Sequence, residues 1–322
     1  MNPQKAFCKD CRVVADGRGK TACPLFSFIS LTFVCVLVFF SSGCSSTPKN
    51  QPLPRSTALE AEKFAEYGNS FFNEARYDKA AEMYSLAMNN YIRIDDQLGT
   101  IICYNALGKT YLAQGATESA ERMFQSAVST LHIFQPIDTA DETVKKAAAE
   151  TYNNLGEFSY QFEEFVAALK WFNKGIELLA SEYADSEAMA VLRHNRGNVF
   201  RIQNKLDMAR KEFNSALEIN TQKENLIELA SNHYMLGVVA LQQNQFDTAV
   251  YHAQNALKYD KRSEHSVGIG HDLFLLGRGT VEAGEKEVGL EYLHRARRIF
   301  TTLELDGEGE KVVEYMRRNN LE

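Results

Sequence analysis

The stretch that decides the fold is Tyr104–Phe124, which reads YNALGKTYLAQGATESAERMF. Two small residues, Gly108 and Ala120, stand twelve positions apart, and the bulky Phe124 follows four positions later. Small side chains let two helices approach closely, and a large side chain then fills the space between them. The pattern therefore predicts a pair of packed helices, which is a structural unit and not a catalytic one.

The same arrangement occurs six times along the chain. The longest interval between equivalent positions of two repeats is 48 residues, from Gly108 to Gly156, and it contains an insertion around residues 134–141 that includes Pro136. This insertion is interpreted either as a binding loop or as a loop that tolerates length. Repeat four departs from the pattern at Arg193 and Arg196, and repeat five has Ala253 in place of the bulky residue. The equivalent glycines, at intervals of 40, 48, 41, 40 and 40 residues, are Gly68, Gly108, Gly156, Gly197, Gly237 and Gly277.

The repeated pattern resembles the tetratricopeptide repeat, whose W-x2-L-G-x2-Y…A-x3-F motif describes a hairpin of two helices. The resemblance implies an all-α fold, an α-solenoid in which about six helix hairpins form a right-handed superhelix over residues 56–305. A C-terminal capping helix is expected over residues 306–322, where a short amphipathic segment would cover the last apolar face. The period of about 40 residues is similar to that of long-period members of the family, which bind peptides or proteins.

The first 43 residues have the layout of a secretion signal. Five Lys or Arg residues precede an apolar run from Pro24 to Phe40. The run ends at Ser42-Gly43-Cys44, which resembles the lipobox of bacterial lipoproteins. The resemblance implies cleavage after residue 43 and lipidation of Cys44, and Ser45 after the cysteine implies sorting to the outer membrane. An uncleaved signal anchor is the alternative, although the run is slightly shorter than the roughly 20 residues of a spanning helix.

A polar, proline-rich segment over residues 44–55 is expected to be a flexible tether between the anchor and the folded region. The predicted location is therefore the cell envelope, with the protein held by lipid at the outer membrane and facing the periplasm. Cys8 and Cys11 form a CxxC within the segment expected to be removed, and this motif would be absent if translation starts at Val13 or Val14.

Charge and motifs indicate which function classes to exclude. Removal of residues 1–43 leaves 30 Lys or Arg against 40 Asp or Glu, so no nucleic-acid partner is expected. The sequence contains no HExxH, GxSxG or P-loop motif, and we predict no enzyme activity and no cofactor. His265, His271 and Asp272 lie close together in sequence and are candidate metal ligands by residue type, but the sequence predicts no metal site there.

By the register of the resembling family, first helices line a concave face that binds the partner. Asparagine is a poor helix former, so its frequency on these helices suggests amides that bind a peptide backbone. Hydrogen bonding between neighbouring helices is the equally open alternative, above all for Asn154 and Asn195. Phe274 lies on the same face and is interpreted either as part of the groove or as core under the capping helix. The predicted partner-binding residues are Asn69, Asn105, Lys109, Asn153, Glu157, His194, Asn198, Arg201, Tyr234 and Leu241.

The sequence therefore predicts a non-catalytic scaffold or adaptor lipoprotein that binds a protein or peptide partner in its concave groove. Assembly of an envelope machine is the candidate role. A peptide-sensing regulatory domain of the same fold is the first alternative, and an unrecognised hydrolase is the second.

Overall fold

A computed structural model describes residues 56–321 of the chain. Every regular element among these residues is helical, with thirteen α-helices and two short 3-10 helices. The predicted signal segment, the lipidation site Cys44 and the tether over residues 44–55 lie outside the described residues. None of the helices within residues 56–321 is both long and apolar enough to cross a lipid bilayer.

Six helix hairpins and one final helix follow each other in an all-α solenoid, as the sequence predicts. Each odd-numbered helix up to α11 is the first helix of a hairpin, and the next helix is its second. Helices with their bounds are α1 (Thr57–Asn73), α2 (Tyr77–Arg93), α3 (Gln97–Ala113), α4 (Thr117–Leu131), α5 (Glu142–Gln161), α6 (Phe165–Leu179), α7 (Glu187–Ile202), α8 (Leu206–Lys223), α9 (Leu226–Gln242), α10 (Phe246–Arg262), α11 (Ser266–Glu282), α12 (Lys286–Thr302) and α13 (Asp306–Arg318).

The glycine of each first helix lies against a large side chain of its second helix in the first four hairpins. A Cβ atom placed on Gly156 would lie 2.6 Å from Cδ1 of Phe172, and one on Gly197 would lie 2.8 Å from Cε1 of Phe213. Real Cβ atoms do not approach other atoms so closely, and both rings are buried. The repeated glycine is therefore required by helix packing, as the sequence pattern indicates.

Repeats four and five lack part of the apolar contact that the pattern requires, and each replaces it in a different way. In repeat five, Leu275 of the next first helix packs against Gly237, and it occupies the space that the small Ala253 leaves. In repeat four, Arg196 Nη2 donates to Oε1 of the buried Glu212 at 2.7 Å, and Arg193 Nη1 lies 3.4 Å from Oε2 of the same carboxylate. Repeat four thus replaces part of an apolar contact with a buried ion cluster between its helices.

The helix starts differ from those that residue types alone suggest. Asp78, Asp207 and Asp247 are expected to cap the second helices, but each lies inside the first turn, and the cap positions make no side-chain hydrogen bond. A residue with positive φ precedes the cap residue of each of these helices, and the helix begins one residue before the aspartate. A carboxylate in the first turn still interacts favourably with the positive end of the helix dipole.

The capping boxes expected at Thr57, Thr139 and Thr221 are also displaced. The observed caps of α1, α5 and α9 are Ser56, Asp141 and Asn225, and each side chain accepts a hydrogen bond from a backbone N–H three residues later. Each cap directly precedes the first helical residue, whereas Thr57 is itself the first residue of α1, Thr139 lies two residues before Asp141, and Thr221 lies inside α8.

The insertion in the longest interval contributes to the core. Two 3-10 helices, His132–Phe134 and Ile137–Thr139, lie within it, and the Gln135–Pro136 peptide bond is cis. Ile137 is buried in a cluster with Ile101 and Leu131. The insertion is therefore anchored by packing and is not merely a loop of tolerated length.

At the other end of the solenoid, α13 covers the last hairpin as expected of a capping helix. Val312 and Met316 are buried against α12 residues that include Phe300. Phe274 packs edge-on against Tyr315 of the capping helix, with 6.1 Å between ring centroids. Of the two interpretations of Phe274, the structure therefore favours core packing under the cap.

Candidate partner-binding groove

A cavity of about 910 Å³ is lined chiefly by the first helices α3, α5 and α7. Its walls on α5 are Lys146, Glu150, Asn153 and Glu157, which follow each other at helical spacing and thus share one face. We call this cavity the polar groove, defined by Lys109, Glu150, Asn153, Asn154 and Glu157 together with the apolar Ile102 and Val191. Ile102, Lys146, Glu150 and Val191 were not predicted, although their spacing from the repeated glycines could have identified them.

Most polar groups of the polar groove bond to each other. Asn195 Nδ2 donates to Asn153 Oδ1 at 2.9 Å and to Glu157 Oε1 at 2.6 Å, and Asn153 Nδ2 donates to the same glutamate oxygen at 3.0 Å. Lys109 Nζ lies 3.9 Å from Glu150 Oε1, a half-exposed pair that contributes little to stability. The asparagine network joins repeats three and four, so the interpretation as a link between neighbouring helices applies to Asn153 and Asn195.

Asn154 is the exception within the polar groove. Its side chain lines the cavity but is only 3% exposed, and its Nδ2 finds no hydrogen-bond partner among residues 56–321. Leaving such a donor unpaired costs about 1–3 kcal/mol, which a ligand that supplies an acceptor would recover. Asn154 therefore holds the unpaired donor of the groove, and because its Nδ2 is buried, the side chain must turn toward the cavity to donate to a partner.

Two predicted site residues are corrected by their burial. Asn105 is 1% exposed, and its Nδ2 donates to Thr151 Oγ1 of the next first helix at 2.9 Å, so it faces the helix interface and not the groove. Leu241 is 9% exposed and belongs to the C-terminal core cluster with Leu273 and Leu275. Neither side chain is accessible to a partner.

The remaining predicted residues lie outside the cavity itself. Asn69 is exposed, and its Oδ1 accepts a hydrogen bond from the hydroxyl of Tyr84 at 2.7 Å. His194 Nδ1 lies 2.9 Å from Asn232 Oδ1 of the next first helix, and burial lowers the pKa of this histidine. Half-buried positions toward the C-terminus, in the same register of the first helices, are held by Asn198, Arg201 and Tyr234.

The junction of repeats five and six holds a buried acidic pair. Asp260 and Asp272 are 4% and 1% exposed, and burial together with the neighbouring Asp260 charge raises the pKa of Asp272 to about 9. His265 Nδ1 lies 3.2 Å from Asp260 Oδ1, whereas His271 Nδ1 lies 4.0 Å from Glu308 Oε2. Within the described part of the chain, no group of three His, Cys, Asp or Glu residues could hold a metal ion.

Solved structures of several differently named proteins share the fold of this chain. BtubC from P. vanneervenii is 15% identical, with a TM-score of 0.59 over 77% of this chain and 92% of that one. PilW, a type IV pilus biogenesis factor, is 16% identical, with a TM-score of 0.56 over 79% and 98% of the two chains. Aspartyl phosphate phosphatase F from Bacillus subtilis is 11% identical, with a TM-score of 0.58 over 82% and 71%. At such identities the likeness shows the fold alone.

Sequence comparison is more specific about the family. None of the curated proteins matches the chain. The family model of the tetratricopeptide repeat matches residues 59–131, 147–222 and 189–262, which together make up more than half of the chain. These matches cover the four hairpins in which the glycine packs against an aromatic residue, and hairpin five as well. The chain therefore belongs to the tetratricopeptide-repeat family.

Proposed function

We propose that the protein is a non-catalytic scaffold that holds a segment of a protein partner in the polar groove. The observation that carries this proposal is Asn154, a buried amide that lines the cavity and has no hydrogen-bond partner among the described residues. An amide nitrogen of this kind can donate to a backbone carbonyl, which every protein segment provides. Proteins that bind peptides commonly combine such main-chain hydrogen bonds with contacts to a few side chains.

The dimensions of the polar groove suit an extended segment. The cavity crosses three neighbouring first helices, and helices pack about 8–10 Å apart, so its length is on the order of 20 Å. An extended chain rises about 3.3 Å per residue, and roughly six residues would therefore fit. Ile102 and Val191 offer apolar contacts beside the polar network, which favours a partner segment with both polar and apolar side chains.

Photo-crosslinking tests the proposal in intact cells. Ile102 in the polar groove and Val288 on the second helix α12 are 45% and 46% exposed, so they form a matched pair for a photoreactive side chain. We expect a discrete protein adduct at position 102 and none at position 288, with mass spectrometry of the adduct to identify the partner. Equal adduct formation at the two positions, or none at position 102, would contradict the proposal.

We further propose that the scaffold is anchored in the bacterial envelope through lipid on Cys44, with the folded part in the periplasm. The lipobox-like SSGC sequence supports this location, and two or more acyl chains are needed for stable attachment. The fold of PilW, which is named as a pilus biogenesis factor, is consistent with a role in assembling an envelope machine.

Replacement of the anchoring thiol provides the test of localisation. Cys44→Ser should abolish metabolic labelling by a fatty-acid probe and release the protein from membrane fractions. Cys103→Ser is the matched control, because Cys103 is 1% exposed and lies within the folded region. Persistent labelling of the Cys44→Ser protein would rule out the lipoprotein assignment and leave the groove proposal unaffected.

A further inference from the structure

One carboxylate of the polar groove keeps its charge without a cation. Among residues 56–321, the Glu157 side chain accepts hydrogen bonds from the amides of Asn153 and Asn195 but forms no ion pair. Amide donors are neutral, so they orient the carboxylate and leave its negative charge in place. Glu157 is exposed and lines the groove, so a partner can reach this charge.

The position of Glu157 in α5 does not offset its charge either. It lies four residues before Gln161, the last residue of α5, and the last turn of this helix contains no basic residue. The dipole of a helix is negative at its C-terminal end, so it does not stabilise a carboxylate there. Glu142 of the same helix lies in the first turn, where the dipole is positive, and pairs with Lys146. Glu157 lacks both of these contacts.

Acidic groups outnumber basic groups in the cavity of the polar groove. Its lining contains five carboxylates and three ammonium groups, a net charge of −2. The carboxylates are Glu142, Glu150, Glu157, Asp185 and Glu187, and the ammonium groups belong to Lys109, Lys146 and Lys223. Two of the lysines are already engaged, because Lys109 Nζ lies 3.9 Å from Glu150 Oε1 and Lys146 Nζ lies 2.5 Å from Glu142 Oε1. Charge complementarity therefore favours a partner segment that brings positive charge.

The two carboxylate oxygens of Glu157 have different surroundings. Oε1 accepts from Asn195 Nδ2 at 2.6 Å and from Asn153 Nδ2 at 3.0 Å, which occupies both of its lone pairs. No group in the described part of the chain donates to Oε2. The fork of an arginine needs both oxygens of a carboxylate, whereas the ammonium group of a lysine needs one acceptor. This bonding pattern favours lysine over arginine as the cation.

A second, independent feature indicates a bound segment at the same place. Asn154 lines the same cavity, is only 3% exposed, and has a side-chain donor without an acceptor among the described residues. Residues three apart on a helix have Cβ atoms about 5–6 Å apart, so Asn154 and Glu157 are neighbours on α5. One lysine residue of an extended segment can thus supply a backbone carbonyl to Asn154, once that side chain turns toward the cavity, and an ammonium group to Glu157.

We propose that the Glu157 carboxylate, oriented by Asn153 and Asn195, binds the ammonium group of a lysine in the partner segment. The proposal rests on the proposed function and deepens it, because it assigns the partner a basic side chain beside the backbone that Asn154 binds. Ile102 and Val191 on the flanking first helices would then contact apolar parts of the same segment.

Capped hexapeptides test the assignment on the full chain. The probe consists of alanines with a single lysine, and comparison peptides carry arginine or norleucine in place of the lysine. Binding is followed by NMR through the side-chain amide resonances of Asn153, Asn154 and Asn195. We expect saturable shifts with the lysine peptide and about tenfold weaker binding of the norleucine peptide, because the charge-assisted hydrogen bond to Glu157 is lost. The arginine peptide should bind less tightly than the lysine peptide.

Glu157→Gln separates the charge from the hydrogen-bond network. A glutamine oxygen can still accept from both asparagines but carries no charge, so this variant should bind the lysine and norleucine peptides equally. Circular dichroism of the variant checks that its helices are intact. Glu177→Gln, at an exposed position of the second helix α6 outside the groove, is the matched control and should keep the tenfold preference of the parent.

Several outcomes would overturn the lysine site. They are the absence of saturable shifts with the lysine peptide, equal binding of the lysine and norleucine peptides by the parent, tighter binding of the arginine peptide, and an unchanged preference in Glu157→Gln. The parent titration decides the matter even if a variant loses helicity. Any of these results with a positive crosslink at position 102 would reject this site alone, whereas the loss of the crosslink would reject the proposed function.

Discussion

The polar groove and the concave side of the C-terminal repeats treat their polar groups in opposite ways. In the groove, Asn153, Glu157 and Asn195 donate to and accept from each other. In the C-terminal repeats, the Nε atoms of Arg201 and Arg278 are buried donors without acceptors among the described residues. The region with more polar residues is thus the one with fewer unsatisfied groups.

This difference separates two uses of polarity in a repeat protein. A polar residue that bonds to the next repeat fixes the spacing of neighbouring hairpins, and stability in a solenoid depends on such nearest-neighbour contacts. A polar residue without such a bond contributes only its packing to that interface, and its donor or acceptor is left for a ligand that can reach it. A candidate binding residue is thus one that lines the groove and also has an unpaired polar atom, because Asn105 Oδ1 and Arg196 Nε are unpaired as well but belong to side chains bonded between helices.

The largest expected effect concerns pH and is confined to the C-terminal repeats. The pKa of Asp272 is raised to about 9 from its ordinary value of 3.8, so the folded state holds a proton that the unfolded state releases. Stability should therefore fall as pH rises between these values, by at most about 1.4 kcal/mol for each pH unit. Urea unfolding from pH 5 to pH 10, with an amide-exchange readout for each repeat, measures this loss.

The matched variant for this experiment is Asp272→Asn. An asparagine amide can still donate to the Asp260 carboxylate but has no proton to lose, so the variant should show a flatter pH profile and a higher stability at pH 9 than the parent. Asp207→Asn, at an exposed position, should leave the profile of the parent unchanged. Identical profiles for the parent and Asp272→Asn would show that the pair does not hold a proton.

A second prediction compares the glycines of the two halves. Gly156→Ala should destabilise repeat three by about 2 kcal/mol, because the new methyl group would overlap the buried Phe172 ring. Gly237→Ala should cost less than about 1 kcal/mol, because the new methyl group meets the end of Leu275 at 2.8 Å and the Ala249 carbonyl oxygen at 3.3 Å, while alanine favours a helix by about 1 kcal/mol. Thermal unfolding of both variants tests the difference.

Gly307→Ala is the control for this pair. No atom of a neighbouring group lies within 4 Å of the position that its new methyl group would take, so only the gain in helix propensity remains and a slight stabilisation is expected. A loss at Gly156 no larger than that at Gly237 would mean that the aromatic side chain moves aside easily. The packing role assigned to the first-half glycines would then be wrong.

The sequence predicted the hairpins well because their packing depends on a spacing within one repeat. Gly156 and Phe172 meet whenever the two helices form, so their positions in sequence already imply the contact. Asn105 and Asn153 occupy equivalent positions three residues before a glycine, yet one is buried against Thr151 and the other lines the groove. Which neighbour a side chain meets depends on the adjacent repeat, and spacing alone does not reveal that.

Charge compensation was harder still to predict. Arg196 and Arg201 lie five residues apart on α7, but Arg196 pairs with Glu212 of its own hairpin while Arg201 has no partner within residues 56–321. Helical spacing places residues five apart on different faces, so the two arginines meet different surroundings. The sequence pattern identified Arg196 as a departure from the family but not the carboxylate that compensates it.

The smallest expected effect on stability discriminates most sharply between the two uses of asparagine. Asn195→Ala removes hydrogen bonds to Asn153 and Glu157 and should cost about 1 kcal/mol. Asn154→Ala removes a buried donor that has no acceptor within the described chain, and this relief offsets the packing lost with the larger side chain, so stability should change by less than about 0.5 kcal/mol. Denaturant titration measures both values, and the yield of the position-102 crosslink measures partner binding. We expect Asn154→Ala to lower the yield of the crosslink without changing stability. A normal crosslink yield in this variant would mean that Asn154 has a structural role only.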